Sequence, residues 1–600
     1  MATQDTVDER NFEKMSANLE RVEALTQRLM HALSHRNPPN YELNGPGQDL
    51  YTVALSSYWQ SVMANPGKLY EQQLEYWGKS VRHFIAAQKA LTLGETQPQE
   101  VEDALADDRR FSNPLWQTNP YFRYVKQQYA LNKQALEQVV EDTQGVDEKD
   151  KKRLEFFTRQ IIDMMSPTNF FGTNPDALEK AIQTEGESLV KGLENLVSDM
   201  EMNNGEMVVR LCDETAFSLG DNIAVSKGEV VYRNEIMELL QYTPTTEQVH
   251  KIPIVIFPPW INKYYILDLK RENSLIGWLV DQGYTVFVVS WVNPDASHSQ
   301  IGMGDYVEKG YLTAIDEVKT ITGEAQLNAV GYCIAGTTLH VTLALLAKRG
   351  DKSIKSATFF TALTDFSEQG EFVPFLQSDF VEGIQKEVDE QGVLRSFIMG
   401  RTMSFLRSND LIYKPAIRSY MMCDTPPAFD LLYWNGDGAN LPGRMVMEYL
   451  RDLCQENAFV TDGFEVLGET VHIKDVKLPI MAVTCETDHI AAWKDCYRGF
   501  LQTGSRDKSF IVSESGHIAG IVNPPSKKKY GYYTNSELPE TADAWLDGAS
   551  EQKGSWWPEW EAWLRKRSGK KIAARKPGGK SHNSLGAAPG EYVRRKASHL

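Results

Sequence analysis

Apolar residues recur at three- and four-residue steps between residues 9 and 35, with Leu19, Val22, Leu25, Leu29 and Leu33 on one stripe, which predicts an amphipathic helix. Residues 50–92 continue in the same texture and are rich in aromatics, among them Tyr51, Tyr58, Trp59, Tyr70, Tyr76 and Trp77. The acidic stretch Gln97–Arg110 reads as a linker, and Phe111–Phe122 is punctuated by Asn-Pro pairs. A helical pattern resumes over 123–200, and almost no strand signal precedes residue 205. From residue 206 the pattern changes to short apolar, β-branched runs separated by helix-length segments. The runs are Ile252–Phe257, Thr285–Ser290, Leu327–Tyr332, Ala357–Thr361, Leu478–Thr484 and Ser509–Ser513. Continuous apolar runs of this kind suit strands buried on both faces, and helical crossovers between them make the sheet parallel. More than 100 residues separate the fourth run from the fifth. This insertion is rich in aromatics and Met (Met403, Phe405, Tyr413, Met421, Phe429, Tyr433, Trp434), which predicts a cap over the carboxyl edge of the sheet. The expected organisation is a helical region over 1–200, a catalytic domain over 201–567 with its cap at about 366–445, and a basic, flexible tail over 568–600.

A chain of 600 residues is too long for one core, in keeping with this division. The formal charge is −18. The segment Arg565–Leu600 holds eleven Lys or Arg against the single acid Glu591, so the body is more acidic still. An acidic body argues against nucleic-acid binding. No apolar run is long enough for a transmembrane segment, and the N-terminal residues show no signal-peptide pattern. The six cysteines, Cys212, Cys333, Cys423, Cys454, Cys485 and Cys496, fall at irregular spacings. Reduced thiols in a cytoplasmic protein are therefore expected, with no metal site and no cofactor.

The third run leads directly into Gly331-Tyr332-Cys333-Ile334-Ala335-Gly336 and then a helical stretch. A strand, a tight turn with a nucleophile at its apex and a helix form the elbow of the α/β-hydrolase fold, where small residues two before and two after the nucleophile permit the turn. Here Cys333 holds the apex and Ala335 the second small position. The helix N-terminus favours an anion there. In this fold the acid follows the nucleophile and the base comes last. Asp488 follows the fifth run and His517 follows the sixth, so both sit at strand ends. Asp365, after the fourth run, is a rival for the acid. His489 neighbours Asp488 but lies in the wrong loop to be the base. An oxyanion hole needs two backbone N–H groups. Ile334 is one candidate, and Trp260 or Ile261, in the loop after the first run, is the other. Tyr433 and Trp434 in the insertion and Ala519 beside His517 are expected at the substrate pocket.

These residues resemble the polyhydroxyalkanoate synthase family of the class I, single-subunit type. The resemblance is carried by Pro258–Leu269, Val289–Ser297, Gly331–Thr337, Phe429–Gly443, Glu486–Trp493, Ser515–Pro525 and Gly554–Trp560. It implies an α/β-hydrolase fold with an inserted cap, and an acyltransferase that polymerises (R)-3-hydroxyacyl-CoA, such as 3-hydroxybutyryl-CoA, with release of CoA. It implies Cys333 as nucleophile with Asp488 and His517 as its partners, and a homodimer when active. The growing polyester, the granule surface and granule-associated proteins are the further partners it implies, placing the chain in the cytoplasm on granules. Two positions depart from the family's pattern: Ala335, where a Gly is usual, and Trp260, where relatives often carry a small residue. A cysteine-nucleophile thioesterase or esterase on the same fold is the alternative, since it would share the triad and differ in admitting water. A non-catalytic granule-binding protein is the third reading, and the intact triad argues against it.

Overall fold

The structure, a computed structural model, describes residues 5–35, 76, 78–82, 85, 105–143, 147–368 and 370–597. Most of the aromatic stretch 50–92 and residues 97–104 of the expected linker lie outside these. The chain forms two compact units, one of residues up to Cys212 with Met403–Pro427, the other of Asp213–Thr402 with Ala428–Ser598.

The first unit is helical. Its helices include Asp5–Ser34, Pro120–Asp142, Glu148–Met164, Pro175–Gln183 and Glu187–Met202. The Asn-Pro pairs act as helix starts: Asn119 accepts from the Tyr121 N–H and Asn174 from the Ala177 N–H, each with Pro at the first helical position. Leu105, within the expected linker, is buried with Phe111, Trp116, Phe122, Tyr129 and Ile162. The first helix lays Leu25 against Val190 and Val197, while Arg21 pairs with Glu187 and Glu194 and Arg28 with Glu201. Leu19 and Leu33 of the same stripe are exposed.

The middle of the insertion belongs to this unit, which the expected cap boundaries did not anticipate. Gly192 explains the close fit: a Cβ there would stand 1.9 Å from the Tyr420 carbonyl oxygen. Asn195 Nδ2 donates to the Ser419 carbonyl (3.0 Å), the Tyr420 hydroxyl to Asp199 (2.8 Å) and the Ser408 hydroxyl to Asp163 (2.9 Å). These bonds fall between residues over 200 apart in sequence, so no local pattern announces them.

The second unit is built on a ten-stranded sheet. In chain order its strands are β1 (Gly228–Arg233), β2 (Met237–Tyr242), β3 (Ile254–Phe257), β4 (Val286–Trp291), β5 (Leu327–Tyr332), β6 (Ile354–Phe360), β7 (Ile480–Cys485), β8 (Lys508–Ser513), β9 (Tyr532–Thr534) and β10 (Ser550–Gln552). Their spatial order is β1-β2-β4-β3-β5-β6-β7-β8-β9-β10. The six strands β3 to β8 are parallel, and the pairs at both edges are antiparallel. This is the α/β-hydrolase arrangement expected above. All six expected runs are strands of the parallel core. The edge strands were not expected. β2 hides its nature because it buries Glu238 and Gln241 beside its apolar residues. β9 and β10 have three residues each and little burial.

The tail expected to be flexible is built into this unit. Lys571–Ala573 pairs with Gln248–His250, and Tyr592 and Val593 are buried. The fully buried Glu238 carboxylate accepts from the backbone N–H groups of Glu591 and Tyr592, both at 3.0 Å, and pairs with Arg233. Buried Lys263 donates to the Arg595 carbonyl at 2.7 Å. The basic composition describes this segment's exposed side chains, whereas its backbone bonds and two apolar residues fix its path.

Candidate active site

β5 ends at Tyr332, and the helix Ile334–Lys348 begins one residue later. Cys333 makes this reversal at φ 54° and ψ −130°, a region costly for any residue with a Cβ. Its N–H donates to the Phe360 carbonyl at 2.8 Å, which ties the apex to β6. The tight contact across the elbow is between Gly331 and Gly336. A Cβ on Gly331 would lie 2.7 Å from Gly336 Cα, and one on Gly336 would lie 2.5 Å from Ala362 Cβ. Ala335, the departure noted in the motif, is buried, and its carbonyl accepts from the Tyr311 hydroxyl at 2.9 Å. The indispensable small residue is thus one position later than the motif suggests, so the extra methyl is accommodated. Gly336→Ala is expected to lower stability by about 1–3 kcal/mol through overpacking. A thermal melt beside one of Ala335→Gly, expected to change little, checks this.

Four of the cysteines, Cys212, Cys454, Cys485 and Cys496, are buried. Burial pushes the thiols of Cys454, Cys485 and Cys496 far above their ordinary range. Cys333, at the elbow, is half-buried.

Asp488 lies in the turn after β7 and His517 in the turn after β8. The Ile490 and Ala491 N–H groups donate to Asp488 Oδ1 at 2.8 and 2.9 Å. That leaves Oδ2 for His517, whose Nδ1 stands 2.7 Å away. A carboxylate only accepts, so the Nδ1 proton is fixed and Nε2 is the nitrogen left for chemistry. Cys333 lies close enough to the same imidazole to act on its charge. Burial would push the imidazolium down, but Asp488 and Cys333 outweigh it and raise His517 well above its usual range. The Tyr332 ring stacks on His517 with centroids 5.7 Å apart, and its hydroxyl donates to the His517 carbonyl at 3.1 Å.

The rival acid is engaged elsewhere. Asp365 accepts from the Ser367 N–H (2.9 Å), Asn457 Nδ2 (3.0 Å) and Gln502 Nε2 (2.5 Å). Burial would raise its carboxyl, but these donors hold it below the ordinary range. His489 directly follows Asp488, as the sequence requires.

Ile334 opens its helix, where an N–H has no partner within the helix. Trp260 is buried after β3, and its indole donates to Thr338 of the elbow helix at 3.3 Å. The Ile261 carbonyl accepts from the Ala439 N–H of the insertion at 3.0 Å. Trp434 and Tyr433 pack on the segment after Ile261: the Trp434 indole donates to the Lys263 carbonyl (2.7 Å), and the Tyr433 ring lies between Phe217 and Tyr265. Ala519 lies in the turn that carries His517, whose Gly520 N–H donates to the Gly516 carbonyl at 2.8 Å.

Sequence reasoning missed several supports. Trp556 and Trp557, recognised only as part of a family segment, donate to the carbonyls of Gly520 (2.7 Å) and Ile521 (2.9 Å) and brace the His517 turn. Tyr449 stands edge-on to Trp260 at 5.6 Å. Burial raises this phenol well above its ordinary range. Tyr449 and Tyr311 both lie in π-helical segments, a local widening that often marks functional sites and has no reliable sequence signal.

Comparison with known proteins gives this geometry a family. Residues 107–279 match the family described as the poly-beta-hydroxybutyrate polymerase (PhaC) N-terminus, and residues 253–524 match the alpha/beta hydrolase fold. The poly(3-hydroxyalkanoate) polymerase of Methylorubrum extorquens is 40% identical over 565 residues, covering 93% of this chain and 92% of that protein. The chain belongs to the poly(3-hydroxyalkanoate) polymerase family. The polymerase subunit PhaC of Rhizobium etli is 38% identical, covering 90% of this chain and 85% of that protein. That of Cupriavidus necator is also 38% identical, over 89% of both. Among the described residues, no helix of this family member is long and apolar enough to cross a membrane.

Proposed function

We propose that this chain polymerises (R)-3-hydroxyacyl-CoA into polyester through an acyl thioester on Cys333. The observation that carries the mechanism is the 2.7 Å contact between His517 and the buried Asp488 beside a cysteine at the apex of the elbow. The family's curated members are named as poly(3-hydroxyalkanoate) polymerases, which are acyl-transferring enzymes. In the first step the Cys333 proton passes to His517 Nε2 and the sulfur attacks the thioester carbonyl. A new C–S bond forms, the bond to the CoA sulfur breaks, and His517 returns the proton to the departing thiolate. Ile334, with Trp260 or Ile261, supplies N–H groups to the developing oxyanion. In elongation the 3-hydroxyl of one unit attacks another unit's acyl thioester. A C–O bond forms as a C–S bond breaks, and Asp488 either orients His517 or helps to take the hydroxyl proton. A thiol suits this cycle because its exchange with a thioester is nearly balanced, while the oxoester formed next lies downhill. Tyr433, Trp434 and Ala519 bound the acyl pocket, and the apolar insertion limits water. The insoluble product remains attached, so the chain works at the surface of polyester granules, as a homodimer, beside granule-associated proteins.

Purified protein given 3-hydroxybutyryl-CoA is expected to yield polymer and free CoA. Free 3-hydroxybutyrate with CoA would establish a thioesterase instead, and no CoA release would remove enzymatic function.

A further inference from the structure

The segment following His517 carries three consecutive exposed lysines, Lys527, Lys528 and Lys529. Its path is fixed at both ends. Asn523 Nδ2 donates to the Tyr530 carbonyl at 3.1 Å, and the Gly531 N–H donates to Glu514 at 2.7 Å while its carbonyl accepts from the Glu514 N–H at 3.0 Å. The segment therefore leaves and returns beside Glu514, three residues before His517. The Thr487 N–H, next to Asp488, donates to the Ser515 carbonyl at 3.0 Å and joins this base to the loop of the acid. The lysines thus lie in the segment that follows the carboxyl end of β8, the end of the sheet that holds Cys333, Asp488 and His517.

Several other cations of this unit are matched with acids: Lys270 with Asp430, Arg271 with Asp281, Lys309 with Glu235 and Lys494 with Asp543. Among the described residues no carboxylate pairs with Lys527, Lys528 or Lys529, and Lys529 instead stands over the Tyr530 ring, 4.8 Å from its centroid. In a chain of net charge −18, three adjacent unmatched ammonium groups make a local reversal of sign. Of two other basic runs in this unit, Arg594–Lys596 has Lys596 paired with Glu214 and Arg595 over the Tyr592 ring, and Arg565–Lys571 ends in the segment Lys571–Ala573, which pairs with Gln248–His250 just ahead of the amino end of β3. That run belongs to the opposite end of the sheet from the nucleophile.

A CoA thioester carries a diphosphate and a 3′-phosphate at the far end of its pantetheine arm, and an acidic surface repels them. We propose that Lys527, Lys528 and Lys529 receive the phosphate groups of the CoA moiety at the mouth of the active site. This assignment rests on the reading that acyl-CoA is the substrate. It predicts a function in capture alone, because the lysines carry no part of the acyl transfer.

The test compares two substrates on the full chain: 3-hydroxybutyryl-CoA and the N-acetylcysteamine thioester of 3-hydroxybutyrate, which lacks every phosphate. The triple change Lys527→Gln, Lys528→Gln, Lys529→Gln is expected to raise KM for the CoA substrate roughly tenfold, from three solvent-screened charge contacts. It should leave kcat within about twofold and weaken the salt dependence of kcat/KM. The same protein should use the short thioester as well as the unchanged chain does, and the triple Lys→Arg change should keep the low KM. Unchanged KM for the CoA substrate would overturn the proposal, as would equal loss on both thioesters. If the unchanged chain consumes neither thioester, the polymerase reading itself fails and this assignment with it.

Discussion

Replacing Cys333 by alanine is expected to abolish both CoA release and polymer formation from 3-hydroxybutyryl-CoA. The loss should be complete within detection, because no other thiol can stand in. Cys454, Cys485 and Cys496 are buried with thiols pushed far up, and Cys212 and the half-buried Cys423 belong to the other unit. Alanine keeps the Cβ that the φ 54° turn already tolerates, so the elbow and its Gly331–Gly336 contact should persist. CoA release followed with a thiol reagent, together with a thermal melt, checks both halves. Polymer above background from a folded Cys333→Ala protein would remove Cys333 from the mechanism.

The second large effect is expected at the base and its acid. His517→Gln removes the group that moves the proton and should slow turnover by ~10²–10⁴-fold. Asp488→Asn keeps the shape of the side chain but removes the charge that raises the His517 imidazolium and can present an N–H to His517 Nδ1. It should also slow turnover. If its main task lies in elongation, a single acyl transfer to Cys333 survives better than chain growth. Quenched single-turnover and steady-state rates measured on one preparation separate these steps. Near-normal rates in Asp488→Asn would return the acid's role to Asp365, against the three donors that now hold that carboxylate.

The parallel core was legible because each strand buried on both faces is a continuous apolar run. The strand-end positions of Cys333, Asp488 and His517 were legible for a related reason: strand ends are what those runs define, and in this fold candidate chemistry is sought there. The edge strands were not legible. β2 reads as amphipathic because the partners of Glu238 come from the backbone of residues 591 and 592, more than 350 positions away. The division of the insertion was hidden in the same way, since Gly192 and Asp199 meet Tyr420 only once both are folded. Composition misled at the tail, where basic residues on the outside concealed a path pinned by Glu238 and Lys263. Tyr332 and Tyr311 support the site through one hydroxyl-to-backbone bond each, and nothing in sequence sets them apart from the other buried tyrosines.

The covalent intermediate is the claim on which the rest depends. Protein mixed with 3-hydroxybutyryl-CoA, quenched in acid within one turnover and digested, should yield the peptide bearing Cys333 with a hydroxybutyryl unit or short oligomer attached, removable by neutral hydroxylamine. The peptides of the other five cysteines should stay unmodified. An acyl group found on any other residue, or polymer made while the Cys333 peptide remains unacylated at every quench time, would contradict the mechanism.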